Sequence, residues 1–290
     1  MCGLCVTSLT ETPTPLTRCT PPGAVPLTPM ARRRLDTLLA ERGLAGSRTS
    51  AAASVRAGLV RVGSGGQRAE KPGQLVADDA ELVLEQRARY VSRGGVKLEN
   101  ALHALEIGVE GRRCLDVGAS TGGFTDCLLQ HGAERVIALD VGYGQLDWRL
   151  RQDPRVEVLE RTNARHLRPE ELRFAPGLAT VDVSFISLTK VLPAVAACLA
   201  PVGEILALVK PQFELAREEV GKGGVVRDPA ARRAALVSVG RAARELGLAV
   251  LGLAASGLQG PKGNRETFIH CGPAGPGIED LEGAAREVEP

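Results

Sequence analysis

The stretch that most constrains this chain is Cys114-Leu-Asp-Val-Gly-Ala-Ser-Thr-Gly-Gly-Phe-Thr-Asp126. An apolar run ends at Asp116 and Val117, a loop carries Gly118, Gly122 and Gly123, and a helical pattern follows through residue 131. Glycines let a backbone turn sharply and come close to a ligand. Downstream, apolar runs at residues 135–140, 156–159, 178–183, 205–209, 248–254 and 266–270 alternate with helical patterns at 188–199 and 229–246. Strands separated by helical stretches predict an α/β domain with a doubly wound, mainly parallel sheet. Aromatic residues are only 3% of the chain, so the core must be built mainly from Ala, Val and Leu.

A glycine loop after a strand serves nucleotides, flavins and sulfonium cofactors alike, so the details must separate them. No Lys-Ser/Thr ending follows, which excludes a phosphate-cradling loop, and Gly-Ala-Ser-Thr-Gly-Gly does not fit the dinucleotide spacing. Asp116 stands two positions before the first glycine, where a pyrophosphate would need unobstructed amides. A carboxylate there suits a ligand with a positive charge and no phosphate, as S-adenosyl-L-methionine is. The next strand ends in Asp140, a residue suited to two ribose hydroxyls of either NAD or S-adenosylmethionine. Asp116, Gly118, Ser120, Thr121, Gly122, Phe124 and Asp140 are therefore the expected cofactor contacts.

Ahead of this domain the chain is different. Residues 1–29 hold six Pro and seven Thr with no helical or strand period, and read as disordered or untranslated, with Met30 as the expected start. From residue 32, leucines recur at helical spacing, Gly43 stops the helix, and Ser47 or Thr49 caps a second helix that ends at Gly58. Short strands follow at 59–62 and 82–84. Residues 30–97 carry a net charge of +6, whereas residues 98–290 carry −4. A small basic α+β module thus precedes a slightly acidic larger one, which points to an anionic partner for the front. Residues 87–93 read as a polar linker, and the Gly-, Pro- and Glu-rich residues 272–290 as a disordered tail.

Seven scattered cysteines argue against a disulfide framework, and the Cys2/Cys5 pair has no second pair at metal spacing. His131, His166 and His270 read as isolated, so no metal site is expected. No apolar run reaches the roughly 18 residues a membrane helix needs. The expected setting is cytoplasmic and reducing.

Five blocks carry a family resemblance. They are Tyr90-Val-Ser-Arg-Gly-Gly-Val-Lys-Leu98, the loop Asp116 to Asp126, Thr180-Val-Asp-Val-Ser-Phe-Ile-Ser187, Leu208-Val-Lys-Pro-Gln-Phe-Glu214 and Gly260-Pro-Lys-Gly-Asn-Arg-Glu-Thr-Phe268. In this order they resemble the FtsJ-like 2′-O-methyltransferases, and closely the TlyA family of ribosomal RNA methyltransferases. The front stretch, Arg32-Arg-Arg-Leu-Asp-Thr-Leu-Leu with Ser47-Arg-Thr-Ser and Gly58-Leu-Val-Arg-Val, is similar to the S4-type RNA-binding module. The resemblance implies a Rossmann-like methyltransferase domain at 94–271 behind an RNA-binding domain at 30–86. It also implies transfer of a methyl group from S-adenosyl-L-methionine to a cytidine ribose 2′-hydroxyl of ribosomal RNA, by a monomer that needs no membrane.

The resemblance places a catalytic set at Lys97, Asp182, Lys210 and Glu266. Asp182 and Lys210 end predicted strands, where open α/β sheets bind ligands; Glu266 opens a late strand, and Lys97 stands just before a helix. A 2′-hydroxyl needs a base, or a cation to stabilise the developing alkoxide. A free lysine, with pKa near 10.4, is protonated at neutral pH; a neighbouring cation and burial favour its neutral form. Lys210 is assigned nearest the 2′-oxygen, with Asp182 and Glu266 orienting the lysines and Lys97 adding charge. Arg32, Arg33, Arg34, Arg48, Arg56 and Arg61 are the expected contacts to RNA phosphates.

Base-amine methylation is disfavoured because Asp182-Val-Ser-Phe lacks the paired prolines such enzymes carry there. Cytosine C5 chemistry would need a nucleophilic Cys in that region, and Cys198 sits in an apolar helix pattern. The competing readings are a non-catalytic RNA-binding or assembly protein on the same fold, a membrane-active haemolysin, and a dinucleotide oxidoreductase.

Overall fold

The computed structural model describes residues 31–85, 89–221 and 223–290. The expectations for residues 1–29, for Met30 as the start and for the first two linker residues lie outside them. The chain divides into two compact units, with the boundary in the sequence between residues 87 and 88.

The first unit runs β1 (Arg32–Arg34), α1 (Leu35–Glu41), α2 (Arg48–Arg56), β2 (Val60–Val62), β3 (Gln67–Arg68), β4 (Leu75–Ala77) and β5 (Leu82–Leu84). Leu35, Leu38 and Leu39 share one face of α1 and pack with Ala51 and Val55 of α2 and with Val60. Ser47 caps α2, its side chain accepting from the Ser50 N–H at 3.1 Å. Strand β1 had no sequence signal, because three consecutive arginines show no apolar alternation. It forms because Arg33 pairs antiparallel with Val76 of β4. A separate three-stranded sheet has the order β3-β2-β5.

The second unit opens with α3 (Arg93–Ala104), β6 (Arg113–Val117), α4 (Gly123–Gln130), β7 (Arg135–Leu139), α5 (Trp148–Arg151) and β8 (Val156–Leu159). It continues with β9 (Leu178–Val181), α6 (Leu192–Cys198), β10 (Glu204–Val209), α7 (Pro211–Glu214), α8 (Pro229–Glu245), β11 (Ala249–Ala255), β12 (Thr267–Gly272) and α9 (Leu281–Val288). Seven strands form one sheet in the order β11-β12-β10-β9-β6-β7-β8. The five from β10 to β8 pair in parallel, and β12 runs antiparallel to both its neighbours. All four residues of β9 are buried, as a strand covered on both faces must be. Apolar clusters pack against the sheet, one around Leu115, Val181 and Leu192, the other around Leu98, Leu128 and Phe268.

Three expectations are corrected here. Lys97 lies inside α3 rather than before it, because Ser92 starts the helix by accepting from the Gly94 N–H and two glycines occupy its first turn. The helix expected over 188–199 is a short 3-10 turn at Leu188–Lys190 followed by α6, since Pro193 stands near the start of α6 and cannot continue an earlier helix. The tail is ordered: Asp280 caps α9, Leu281 and Ala285 pack into the core, and Glu289 makes a buried ion pair with Arg232 at 2.8 Å. Its Gly- and Glu-rich composition hid an apolar pair at helical spacing.

Candidate active site

Sheet topology brings the expected residues to one edge. Gly118, Asp140, Asp182 and Lys210 each directly follow a parallel strand, β6, β7, β9 and β10 respectively. Because β12 runs the other way, its first residues return to that edge: Thr267 pairs with Val209, which places Glu266 across from Lys210. Strand β6 lies between β7 and β9, the point where the strand order reverses and where such sheets take ligands.

Two adjoining cavities open there. One, of about 560 Å³, is lined by Lys97, Phe124, Lys210 and Glu266 among others; the other, of about 490 Å³, by Asp140, Gln145, Asn163 and Val183 among others. Gly118, Ser120, Asp182, Ser184 and Phe185 line both, and Thr121 lines the first. Gly118 is required by crowding and conformation together: its φ is +86°, and a Cβ there would lie 2.4 Å from the Asp182 carbonyl oxygen. Gly122, at φ +95°, caps α4 against Leu146 and Leu150 rather than facing the cavities.

Four charged residues form two lysine–carboxylate pairs. Lys97 is 7% exposed and pairs with Glu266, itself 3% exposed. Lys210 Nζ lies 2.6 Å from Asp182 Oδ1, in ion-pair contact without hydrogen-bond alignment, and donates to Ser184 Oγ at 3.0 Å. A buried pair of this kind fixes geometry more surely than it adds stability.

Among the expected cofactor contacts, Asp140 keeps its position: its carboxylate accepts from the N–H groups of Ser120 and Gly142, both at 2.7 Å, and lines the second cavity. Asp116 does not reach either cavity. It is fully buried, with Thr125 Oγ1 donating at 2.6 Å and Thr180 Oγ1 at 3.4 Å. Burial, reinforced by the charge of Asp182, pushes its carboxyl up to about 7. Its work is to tie β6 to α4 and β9 beneath the loop.

Several site features escaped the sequence reading. Phe185 is 91% exposed in a left-handed conformation, φ +64°, and its ring centre lies 5.2 Å from that of Phe213. Both line the first cavity, with Arg93 and Lys262. Glu214 bridges two loops, accepting from Ser187 Oγ at 2.6 Å and Leu188 N–H at 2.9 Å, and burial raises its pKa. Four of the five Phe of the chain lie in the quoted motifs, and that concentration was the available signal.

In the first unit the arginines are not equivalent. Arg33 pairs with Glu41 and Asp78, Arg34 and Arg48 with Asp36, and Arg61 with Glu85. Arg32 and Arg56 are exposed and have no carboxylate partner among the described residues. No helix among those residues is long and apolar enough to cross a membrane.

A sheet of this order, with a glycine loop at its switch point and two lysine–carboxylate pairs on the adjoining edge, defines the methyltransferase class. Residues 90–272 match the model of the FtsJ-like methyltransferases and residues 33–82 that of the S4 domain, and the chain belongs to the FtsJ-like methyltransferases, within the TlyA family. It is 53% identical over 243 residues to the 16S/23S rRNA (cytidine-2′-O)-methyltransferase TlyA of Mycobacterium tuberculosis, covering 83% of this chain and 90% of the relative. It is 40% identical over 238 residues to hemolysin A of Brachyspira hyodysenteriae, covering 82% and 98%. A solved structure from Streptococcus thermophilus, described as a hemolysin, superposes with a TM-score of 0.67 at 42% identity, covering 89% and 96%.

Proposed function

We propose that this protein transfers a methyl group from S-adenosylmethionine to the 2′-hydroxyl of a cytidine ribose in ribosomal RNA, acting as a cytoplasmic monomer. The observation that carries the reading is the Lys210–Asp182 pair, which lines the same cavity as the buried Lys97–Glu266 pair and the glycine loop. The residues present fit the cofactor. Asp140 offers carboxylate oxygens for ribose hydroxyls, Gly118 leaves the backbone open, and the second cavity has no Lys or Arg in its lining to meet a phosphate. Gly118, Ser120, Thr121, Phe124 and Asp140 would hold it, with Gly122 shaping the loop and Asp116 supporting it from below. When bound, it supplies an activated methyl group on a sulfonium.

The chain's own residues then do four things. Lys210 holds the 2′-oxygen and stabilises the negative charge that develops there as the methyl group arrives and the hydroxyl proton passes to water at the cavity mouth. Asp182 and Ser184 fix the Lys210 ammonium in place. Lys97, oriented by Glu266, adds a second cation in a water-poor setting, where its field is felt more strongly. Phe185 and Phe213 offer an aromatic face at the mouth, where an unstacked base can lie while its ribose reaches Lys210. In-line positioning of this kind supplies much of the rate, since the donor already carries its leaving group.

The test is methyl transfer from labelled cofactor to purified ribosomal subunits, followed by nucleoside analysis. Label in 2′-O-methylcytidine is expected. Label on a base nitrogen or carbon, or cofactor binding without transfer to any subunit, would overturn the reading.

A further inference from the structure

Outside the cavities, α3 and α4 bring together three residues that the sequence shows as separate. Glu99 and His103 stand four residues apart on α3 and so share a face. His131 closes the C-terminal end of α4. One ligand atom from each lies within 4.8 Å of the others. The sequence reading of His131 as isolated is therefore corrected: its ring centre is 6.1 Å from that of His103, edge to face.

Two details show a site prepared for a cation. His131 Nδ1 lies 2.8 Å from the Cys127 carbonyl oxygen, and a ring N–H donated there leaves Nε2 as a free lone pair. A backbone partner of this kind is what orients a metal-bound histidine. Glu99 is 8% exposed, and its Oε1 faces the Arg89 guanidinium without a hydrogen-bond partner. Oε1 is taken up by that ion pair, and Oε2 has no partner among the described residues. Cys127 Sγ lies 3.6 Å from His131 Nδ1, the nitrogen turned to the backbone, and the clustered donor atoms are those of two imidazoles and a carboxylate.

We propose that Glu99, His103 and His131 form a binding site for a divalent transition metal, zinc in the first place. Two imidazoles and one carboxylate suit zinc and its neighbours, whereas magnesium and calcium prefer oxygen alone. Bonds of about 2.1 Å put tetrahedral ligands about 3.4 Å apart, so the exposed His103 ring must swing inward by roughly an ångström. Glu99 lies two positions beyond Lys97, on the opposite side of α3, and none of the three residues lines either cavity. A bound metal would staple the helix that carries Lys97 to the helix that follows the glycine loop, without touching substrate.

The experiment uses the full chain, stripped with a chelator and titrated separately with zinc chloride and cobalt(II) chloride. One equivalent is expected to bind with Kd of about 1 μM or tighter. At a hundredfold excess over Kd the unfolding midpoint of the large unit should rise by about 5–10 °C. The cobalt complex should lack a thiolate charge-transfer band. His103→Ala, a surface change that leaves the fold and the basal methyl transfer intact, should weaken binding about 100-fold, as should His131→Ala. Unchanged binding in both variants, loss of binding in a Cys2→Ser/Cys5→Ser variant, a thiolate band, or no binding by the intact chain would each overturn the site.

Discussion

Two aspartates, one in each unit, are stabilised by opposite means. Asp36 of the first unit is almost inaccessible, but the Arg34 guanidinium, helped by Arg48, holds its carboxyl down at about 2. Asp116 of the second unit has no cationic partner, only hydrogen bonds from Thr125 and Thr180, and burial pushes it up to about 7. The small unit, with few apolar residues, uses its arginines to fix its own backbone as well as to present charge. The large unit also pairs arginines structurally, as Arg232 with Glu289, but turns two lysine–carboxylate pairs, Lys97–Glu266 and Lys210–Asp182, toward its first cavity.

The sharpest way to test that division is at Lys210. Lys210→Ala should lower turnover by about a thousandfold or more, equivalent to about 4 kcal/mol of barrier, while cofactor affinity measured by calorimetry stays within about threefold. Lys210→Arg should not restore it, because a guanidinium stays charged and differs in shape. A variant that keeps more than about a tenth of the activity would remove Lys210 from the centre of the mechanism.

A smaller loss, about 10–100-fold in turnover, is expected for Glu214→Ala. Its carboxylate ties the stretch after β9, which carries Asp182 and Phe185, to the stretch after β10, which carries Lys210 and Phe213. Cofactor affinity should again hold; if it falls in step with turnover, Glu214 supports the whole pocket rather than the alignment of the two stretches.

The arginines of the first unit should separate next. Replacing Arg32 and Arg56 with Ala should reduce the slope of log affinity for RNA against log salt by about 0.7–0.9 per residue. Arg34→Ala should instead lower the unfolding temperature of the first unit, because it removes the stronger of the two arginine partners of the buried Asp36 carboxylate and leaves Arg48 alone to hold it. Equal slope changes in both variants would show that the internal pairs open on RNA.

The two aspartates should also separate in pH profiles of unfolding. Asp36 has a depressed pKa, so its contribution is present above about pH 4 and is lost as pH falls toward about 2. Asp116 is raised: the folded state holds a proton that the unfolded state releases, so stability falls as pH rises from about 4 to about 7 and then levels. Asp116→Asn should flatten that decline, and Asp36→Asn should remove the acid-side loss. An unchanged profile in either variant would refute the corresponding assignment.

Much of this was legible before the structure. The parallel strands announced themselves as apolar runs, and a residue directly after such a run, as Asp182 and Lys210 are, must stand at the ligand-binding edge. What stayed hidden depended on packing across long sequence distances. The Asp116 carboxylate reads as a cofactor contact until Thr180, from another strand, is seen beside it. Helix α9 does show a period, Leu281, Ala284, Ala285 and Val288, but it is short and follows a Gly- and Pro-rich stretch that reads as a tail, and β1 becomes a strand only through its pairing with β4. Phe185 could be counted in the sequence, but its exposure and its backbone angle belong to the fold alone.

That backbone angle carries a cost for the resting enzyme. A phenylalanine held at φ +64° gives up about 1–2 kcal/mol relative to a relaxed conformation, and at 91% exposure it recovers little by packing. Phe185→Gly should therefore unfold at a higher temperature than the parent while methylating less. A screen that selects variants for heat resistance alone would drift toward discarding this residue, and a screen for activity would keep it at the expense of stability.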